Sequence, residues 1–264
     1  MPEAVTRHQR VFAPALIALA ALAWLSLWAW ASSPYGGYLA HGSGVETGPL
    51  AQLCRSLPGG TWLLPAAWTT LAWVLMILAM MLPSTLPLFD AFDRITQQRG
   101  DRATLFALLG LGYTSVWAGF GVVAHALHAA LLGAITVLPV LPWQARWIGV
   151  GVIALAGAFQ FSSLKHHCLD KCRTPRSFVI EHWHGRDARR DAFVLGAHHG
   201  LFCVGCCWAL MMLMFVVGAG SLGWMLALAA VMAAEKNLAW GRRLSTPLGL
   251  GLLAWAAWLA IAPP

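Results

Sequence analysis

Apolar residues run through this chain in long blocks rather than in alternation. Seven windows near the roughly 20 residues that span a hydrocarbon core carry few or no charges: 11–31, 66–86, 104–127, 144–164, 192–217, 222–240 and 247–262. The third has an apolar tail reaching residue 141, which leaves its far end open. Continuous blocks exclude a membrane barrel, whose strands alternate. In lipid every backbone amide must bond within its own segment, so the blocks are helices. The pattern predicts an all-α, polytopic transmembrane bundle of about seven helices, forming one domain over 1–264. Pro83 inside the second block removes a backbone donor and crowds the carbonyl of Ala79, so a kink is expected there.

Composition agrees. The chain is 59% hydrophobic and 10% charged, against roughly half and a quarter in soluble domains. Lys and Arg in the short loops set orientation. With the N-terminus cytoplasmic, 15 of the 17 basic residues fall inside, and only Arg55 and Arg146 outside. The net charge of +7 is then loop charge beside anionic lipid, which argues against a nucleic-acid partner. Arg7 and Arg10 before an apolar run also resemble a signal peptide. The run is long and Trp30 is bulky, so a retained anchor is expected. Removing it would leave six helices in the same orientation.

Two connections are longer than needed. The external loop 32–65 is rich in Gly and holds His41 and Cys54, each alone. The basic cytoplasmic loop 165–191 holds "KHHCLDKCRTP" and "EHWHGRD". Of six cysteines, five (Cys168, Cys172, Cys203, Cys206, Cys207) fall on the inner side or inside the membrane. The cytosol is reducing, so these read as metal ligands or redox thiols rather than structural disulfides.

Depth gathers these residues together. In the fifth block, "HHGLFCVGCCWALMML", His198 and His199 lie about 10 Å from the inner end, with Cys203 and then Cys206 and Cys207 deeper. His199, Cys203 and Cys206 share a face, and Cys203, Cys207 and Met211 make an adjacent stripe. Met80 and Met81 reach the level of His199 and Cys203 from the second block, and Glu235 from the sixth. A carboxylate within a crossing usually faces the interior with a partner. Lys236 points about 100° away from Glu235 and is not the obvious one. Cys168 and Cys172 are four apart and share a face if the fourth helix continues through them; they then suit docking or delivery of an ion. His125 and His128 are read as interfacial histidines. Thiolate and thioether favour Cu(I), and thiolate with imidazole also suits Zn(II). Cu(I) is the expected metal and zinc the second.

The motifs "AMMLPS", "LKHHCLDKCRTP", "HHGLFCVGCCWALMML" and "VMAAEKN", in this order over about 66–240, resemble the bacterial predicted metal-binding integral membrane proteins, a domain-of-unknown-function family. The resemblance implies a multi-pass protein of the bacterial inner membrane. It carries over Met80, Met81, Pro83, Cys168, Cys172, Cys206, Cys207, Trp208, Met211, Glu235 and Lys236, but no established reaction, metal or direction. His198, His199 and Cys203 rest on depth alone.

The leading expectation is a binding protein rather than an enzyme: it holds Cu(I) and moves it or hands it on, with a cytosolic metallochaperone as partner. Two alternatives stand beside it. "CVGC" (Cys203 to Cys206) permits a thiol–disulfide relay, though burial in an apolar setting works against an attackable thiolate. Gly110, Gly112, Gly119, Gly121 and "GAGSLG" (218–223) permit close helix packing in a structural or assembly subunit. The oligomeric state is left open.

Overall fold

The apolar blocks fold as helices in the computed structural model, which describes residues 3–33, 60–137, 145–217 and 221–262. Ten α-helices are present among the described residues. They are α1 (Glu3–Ala31), α2 (Gly60–Met80), α3 (Leu86–Thr96), α4 (Arg102–Val137), α5 (Ala145–Phe159), α6 (Ser163–Arg173), α7 (Pro175–His182), α8 (Ala188–Val217), α9 (Leu222–Asn237) and α10 (Ser245–Ile261). Short 3-10 turns lie at Pro83–Thr85 and Gly241–Leu244. His41, Cys54 and most of the loop 32–65 lie outside the described residues, as do 218–220.

Among the described residues, four segments are long and apolar enough to cross a membrane: Pro14–Ala31, Arg102–Leu131, Ala188–Val216 and Gly241–Ile261. Two bent pairs raise the number to six if each is one span. The expected seven is not reached because α9 has only 16 residues, about 24 Å, short of a core about 30 Å thick. Its end is set where the chain folds back over it: a Cβ on Gly241 would lie 2.2 Å from the Ala234 carbonyl. The tail of the third block is resolved in the other direction, since α4 continues unbroken to Val137.

Both breaks have local causes. Thr70–Met80 and Pro83–Thr96 meet at 48°. Pro83 has no N–H for the Ala79 carbonyl, and the Trp24 indole of α1 donates to that oxygen instead, at 3.0 Å. The Ser84 and Thr85 hydroxyls donate to the carbonyls of Met81 and Leu82, at 2.7 and 2.8 Å. The second break bends Arg146–Phe159 against Ser163–Arg173 by 61°. There Gln160, Phe161 and Ser162 close tight turns back to Gly157, Ala158 and Phe159. Ser162 then caps a new helix by accepting from the Lys165 amide at 3.1 Å, as a serine N-cap does.

The second break reshapes the supposed loop 165–191. It contains α6 and α7, whose Lys165, Cys168, Leu169, Cys172, Phe178 and Val179 are buried. Helix α6 turns back beneath the bundle and packs on α8. Its approach depends on Gly205, where a Cβ would stand 2.5 Å from Cys168 Sγ.

Helix α8 is the central element, and glycines set its distance from α4. A Cβ on Gly196 would lie 2.0 Å from the Leu109 carbonyl, and one on Gly112 2.1 Å from that of Phe193. The backbones therefore touch. Gly121 admits the Trp73 ring, whose indole donates to the Trp117 carbonyl at 2.9 Å. Gly119 and Gly223 face open space, so those members of the small-residue pattern do not pack.

Gly196→Ala is expected to destabilise the protein by about 1–3 kcal/mol through overpacking. Gly119→Ala, with nothing within 4 Å, should be neutral or stabilising. Thermal unfolding in detergent compares the two.

Candidate metal centre

Cys203 is the hub of a buried sulfur cluster. It lies on the face of α8 that turns toward α4, α6 and α9, and its side chain is fully enclosed. Its Sγ stands 3.0 Å from the Tyr113 hydroxyl of α4. It accepts a hydrogen bond from the Lys236 ammonium of α9 at 2.9 Å. The thiols of Cys206 and Cys207 adjoin it on the same helix. Cys206 Sγ lies 3.2 Å from Cys207 Sγ and donates to the Cys203 carbonyl at 3.2 Å. Cys172, brought in by the turn of α6, meets both Cys203 and Cys206. The five described cysteines are free and buried.

The second block contributes at the same level. Met81 Sδ lies 3.8 Å from the Lys236 ammonium, and Ser84 Oγ accepts from it at 3.2 Å. Met81, Lys236 and Cys203 thus form one connected set, which agrees with the depth reading. Met80 and Met211 are buried in the same core. His199 is buried next to Tyr113 and Phe178, with ring centroids at 6.1 and 5.4 Å. Its Nδ1 has no hydrogen-bond partner among the described residues. A buried polar atom left in this state needs an explanation.

Other candidates are placed elsewhere. His198 is exposed, beside His182 with ring centroids at 5.4 Å. The α-helical turn of 100° between neighbours sends it away from the sulfurs. Cys168 and Cys172 do not form an exposed docking pair: Cys168 packs on Gly205, while Cys172 joins the cluster. His125 donates from Nδ1 to the Gly121 carbonyl at 2.8 Å and packs edge-on to Trp73, in keeping with a structural role. The His128 side chain lies outside the described residues.

Glu235 also faces away from the sulfurs. Both its carboxylate oxygens accept from the Lys165 ammonium, at 2.8 and 2.9 Å. Ser245 adds a hydroxyl donor at 2.7 Å, and Gln160 accepts from the same ammonium. Lys165 and Glu235 are 0% and 1% exposed. Arg173 reinforces the junction by donating to the carbonyls of Glu235 and Ala239 at the end of α9, where helix carbonyls lack partners. Arg242 pairs with Asp170 at 3.0 Å. Helix α6 is therefore fastened to α9 on both flanks of Cys172.

Sequence reading missed Tyr113, Ser84 and Lys165, and underrated Lys236. For Ser84, Tyr113 and Lys236 the available sign was a polar residue inside an apolar block, which must find a partner; Lys165 lies just past the end of its block. Among the described residues no three His, Cys, Asp or Glu side chains stand ready to close on a metal ion. The soft donors instead surround an ammonium.

Breaking the buried Lys165–Glu235 pair from one side leaves an uncompensated charge. Glu235→Leu and Lys165→Leu are each expected to cost about 3–5 kcal/mol. The double variant should recover part of that loss, as chemical unfolding of the three proteins would measure.

The family model described as PpoB2, copper chaperone, matches residues 70–259. No curated protein and no solved structure matches the chain. The matched span takes in every residue of the sulfur cluster, Lys236 and the Lys165–Glu235 pair. It covers well over half of the sequence, so the chain belongs to the PpoB2 copper chaperone family.

Proposed function

We propose that this protein is a multi-pass protein of the bacterial inner membrane that binds Cu(I) and hands it to a partner. The observation that carries this reading is the convergence of Cys172, Cys203, Cys206 and Cys207 in one apolar interior. Met81 stands across Lys236 from them. Thiolates and thioethers are the donors that select Cu(I) over harder cations. The copper chaperone family adds the metal by name. His199, with its unpartnered Nδ1, offers an imidazole next to the cluster and keeps zinc as the second candidate.

The chemistry needed is ligand exchange. An incoming thiol carrier gives Cu(I) to Cys203, and neighbouring thiols take over as carrier bonds break. Handing on a metal requires sites that also release it. A ladder of sulfurs on α8 and α6 suits this better than one closed tetrahedron. The apolar spans α1, α4, α8 and α10 support membrane integration. The excess of basic residues in 94–102, 165–190 and 236–243 supports an N-terminus on the cytoplasmic side. Cys172 is enclosed, so a cytosolic metallochaperone would meet the surface where α6 joins α9 rather than an exposed thiol pair.

The relay reading is weaker on the same geometry. A mixed disulfide needs a partner sulfur to reach an accessible thiolate, and Cys203 and Cys206 are buried to within 1%. A metal ion needs a far narrower path.

Protein purified in detergent and loaded with Cu(I) is expected to retain copper. A Cys203→Ser, Cys206→Ser, Cys207→Ser variant should lose most of it, and Cys172→Ser part of it, by elemental analysis. His199→Ala should weaken retention. Equal copper in the wild type and the triple variant would overturn the reading.

A further inference from the structure

Lys236 is 5% exposed, and burying a charge is costly unless it is paired. The other buried lysine, Lys165, has a carboxylate. The acceptors of Lys236 are Cys203 Sγ at 2.9 Å, Ser84 Oγ at 3.2 Å and Met81 Sδ at 3.8 Å. Its sequence neighbour Glu235 is spent on Lys165 and Ser245. The ammonium therefore sits among a thiol sulfur, a thioether and a hydroxyl, a donor set that suits a soft monovalent cation better than an amine.

An ammonium and Cu(I) carry the same charge, and they compete for the same sulfur. With Nζ within reach of both Sγ and Sδ, it stands between Cys203 and Met81. A copper ion bonded to Cys203 reaches Met81 only when that nitrogen has moved.

On the strength of the copper reading above, we propose that Lys236 is a built-in stand-in for the cargo: Cu(I) enters by displacing the ammonium from Cys203, and the returning ammonium helps to expel it. On loading, the Cys203 sulfur, a thiolate paired until then with the ammonium, forms a Cu–S bond while a Cu–S bond to a soluble thiol carrier breaks. The carrier sulfur leaves as its thiolate, the Nζ–H···Sγ hydrogen bond is lost, and copper stays in the +1 state with no electron transferred. Release to an acceptor thiolate is the reverse. Ser84 gives the ammonium a second acceptor while it is off the sulfur, and the flexible four-carbon lysine stem allows the swing. The protein thus holds a cation at Cys203 in both states, which spares the interior an uncompensated sulfur charge. Lys236 is in these terms a positioning and release residue, not a ligand.

The test uses the full chain in detergent, loaded with Cu(I), with transfer to the chelator bathocuproine disulfonate followed by absorbance. Lys236→Leu removes the competitor without adding a ligand and is expected to slow release about tenfold or more, the worth of a hydrogen bond to a charged group. Lys236→Arg keeps the charge and should release faster than Lys236→Leu. Ser84→Ala confines the ammonium to the sulfurs and should speed release, which gives a second arm if Lys236→Leu does not fold. Release that is unchanged or faster in Lys236→Leu, or unchanged in Ser84→Ala, overturns the proposal while leaving the copper reading intact. A wild type that retains no Cu(I) overturns both, and that arm is read before any variant.

Discussion

A charge enclosed by apolar side chains must find its counterpart within a few ångströms, and two such charges stand side by side at Glu235 and Lys236. The helical turn between neighbours sends them to different partners. Glu235 reaches Lys165 on α6 and Ser245 on α10, and Lys165 donates in turn to Gln160 at the end of α5. Lys236 reaches Cys203, Ser84 and Met81 on the side of α8 and α2. One short helix thereby joins four other elements. Moving either charge by one position would strand both.

The cluster forms because the chain can come close where it needs to. Glycines at 112 and 196 let α4 and α8 touch along their backbones, which puts the Tyr113 hydroxyl on Cys203. Gly205 leaves the hollow that Cys168 fills, and one turn later α6 delivers Cys172. The break at Gln160 to Ser162 supplies the direction. Without its 61° bend, the fourth apolar block would carry Cys168 and Cys172 out of the bundle. Cysteine sulfurs, small residues and a capped break act as one design, each useless without the others.

Much of this was legible in the sequence, in unequal parts. Apolar blocks of span length announced helices, and Pro83 announced its kink. Depth counting put Met81 and Cys203 on one level, because rise per residue is fixed along any helix. Counting along an axis says nothing about breaks without proline, so the turn before Ser163 was missed and Cys168 and Cys172 were read as a pair for docking or delivery in a cytoplasmic loop. It also says nothing about which of two neighbouring residues faces inward. Glu235 was picked for the site because a carboxylate within a crossing usually faces the interior with a partner, and Lys236 was set aside as not the obvious partner. The partner that draws Glu235 away, Lys165, lies 70 residues earlier, and only the folded chain brings them together. Similarly, His198 and His199 look alike in the sequence, and the 100° between them places one outside and one inside.

The hydrogen bond from Trp24 to the Ala79 carbonyl gives α1 a task beyond anchoring. Pro83 frees that carbonyl, and inside an apolar bundle an unpartnered carbonyl costs several kcal/mol in an environment without water. The indole of α1 is thus a brace for the kink, and the kink sets where Met81 and Ser84 sit against Lys236. Met81 lies two residues beyond the braced oxygen. Helix α1 therefore acts on these groups through the shape of its neighbour, so α1 and the sulfur cluster form one mechanical unit.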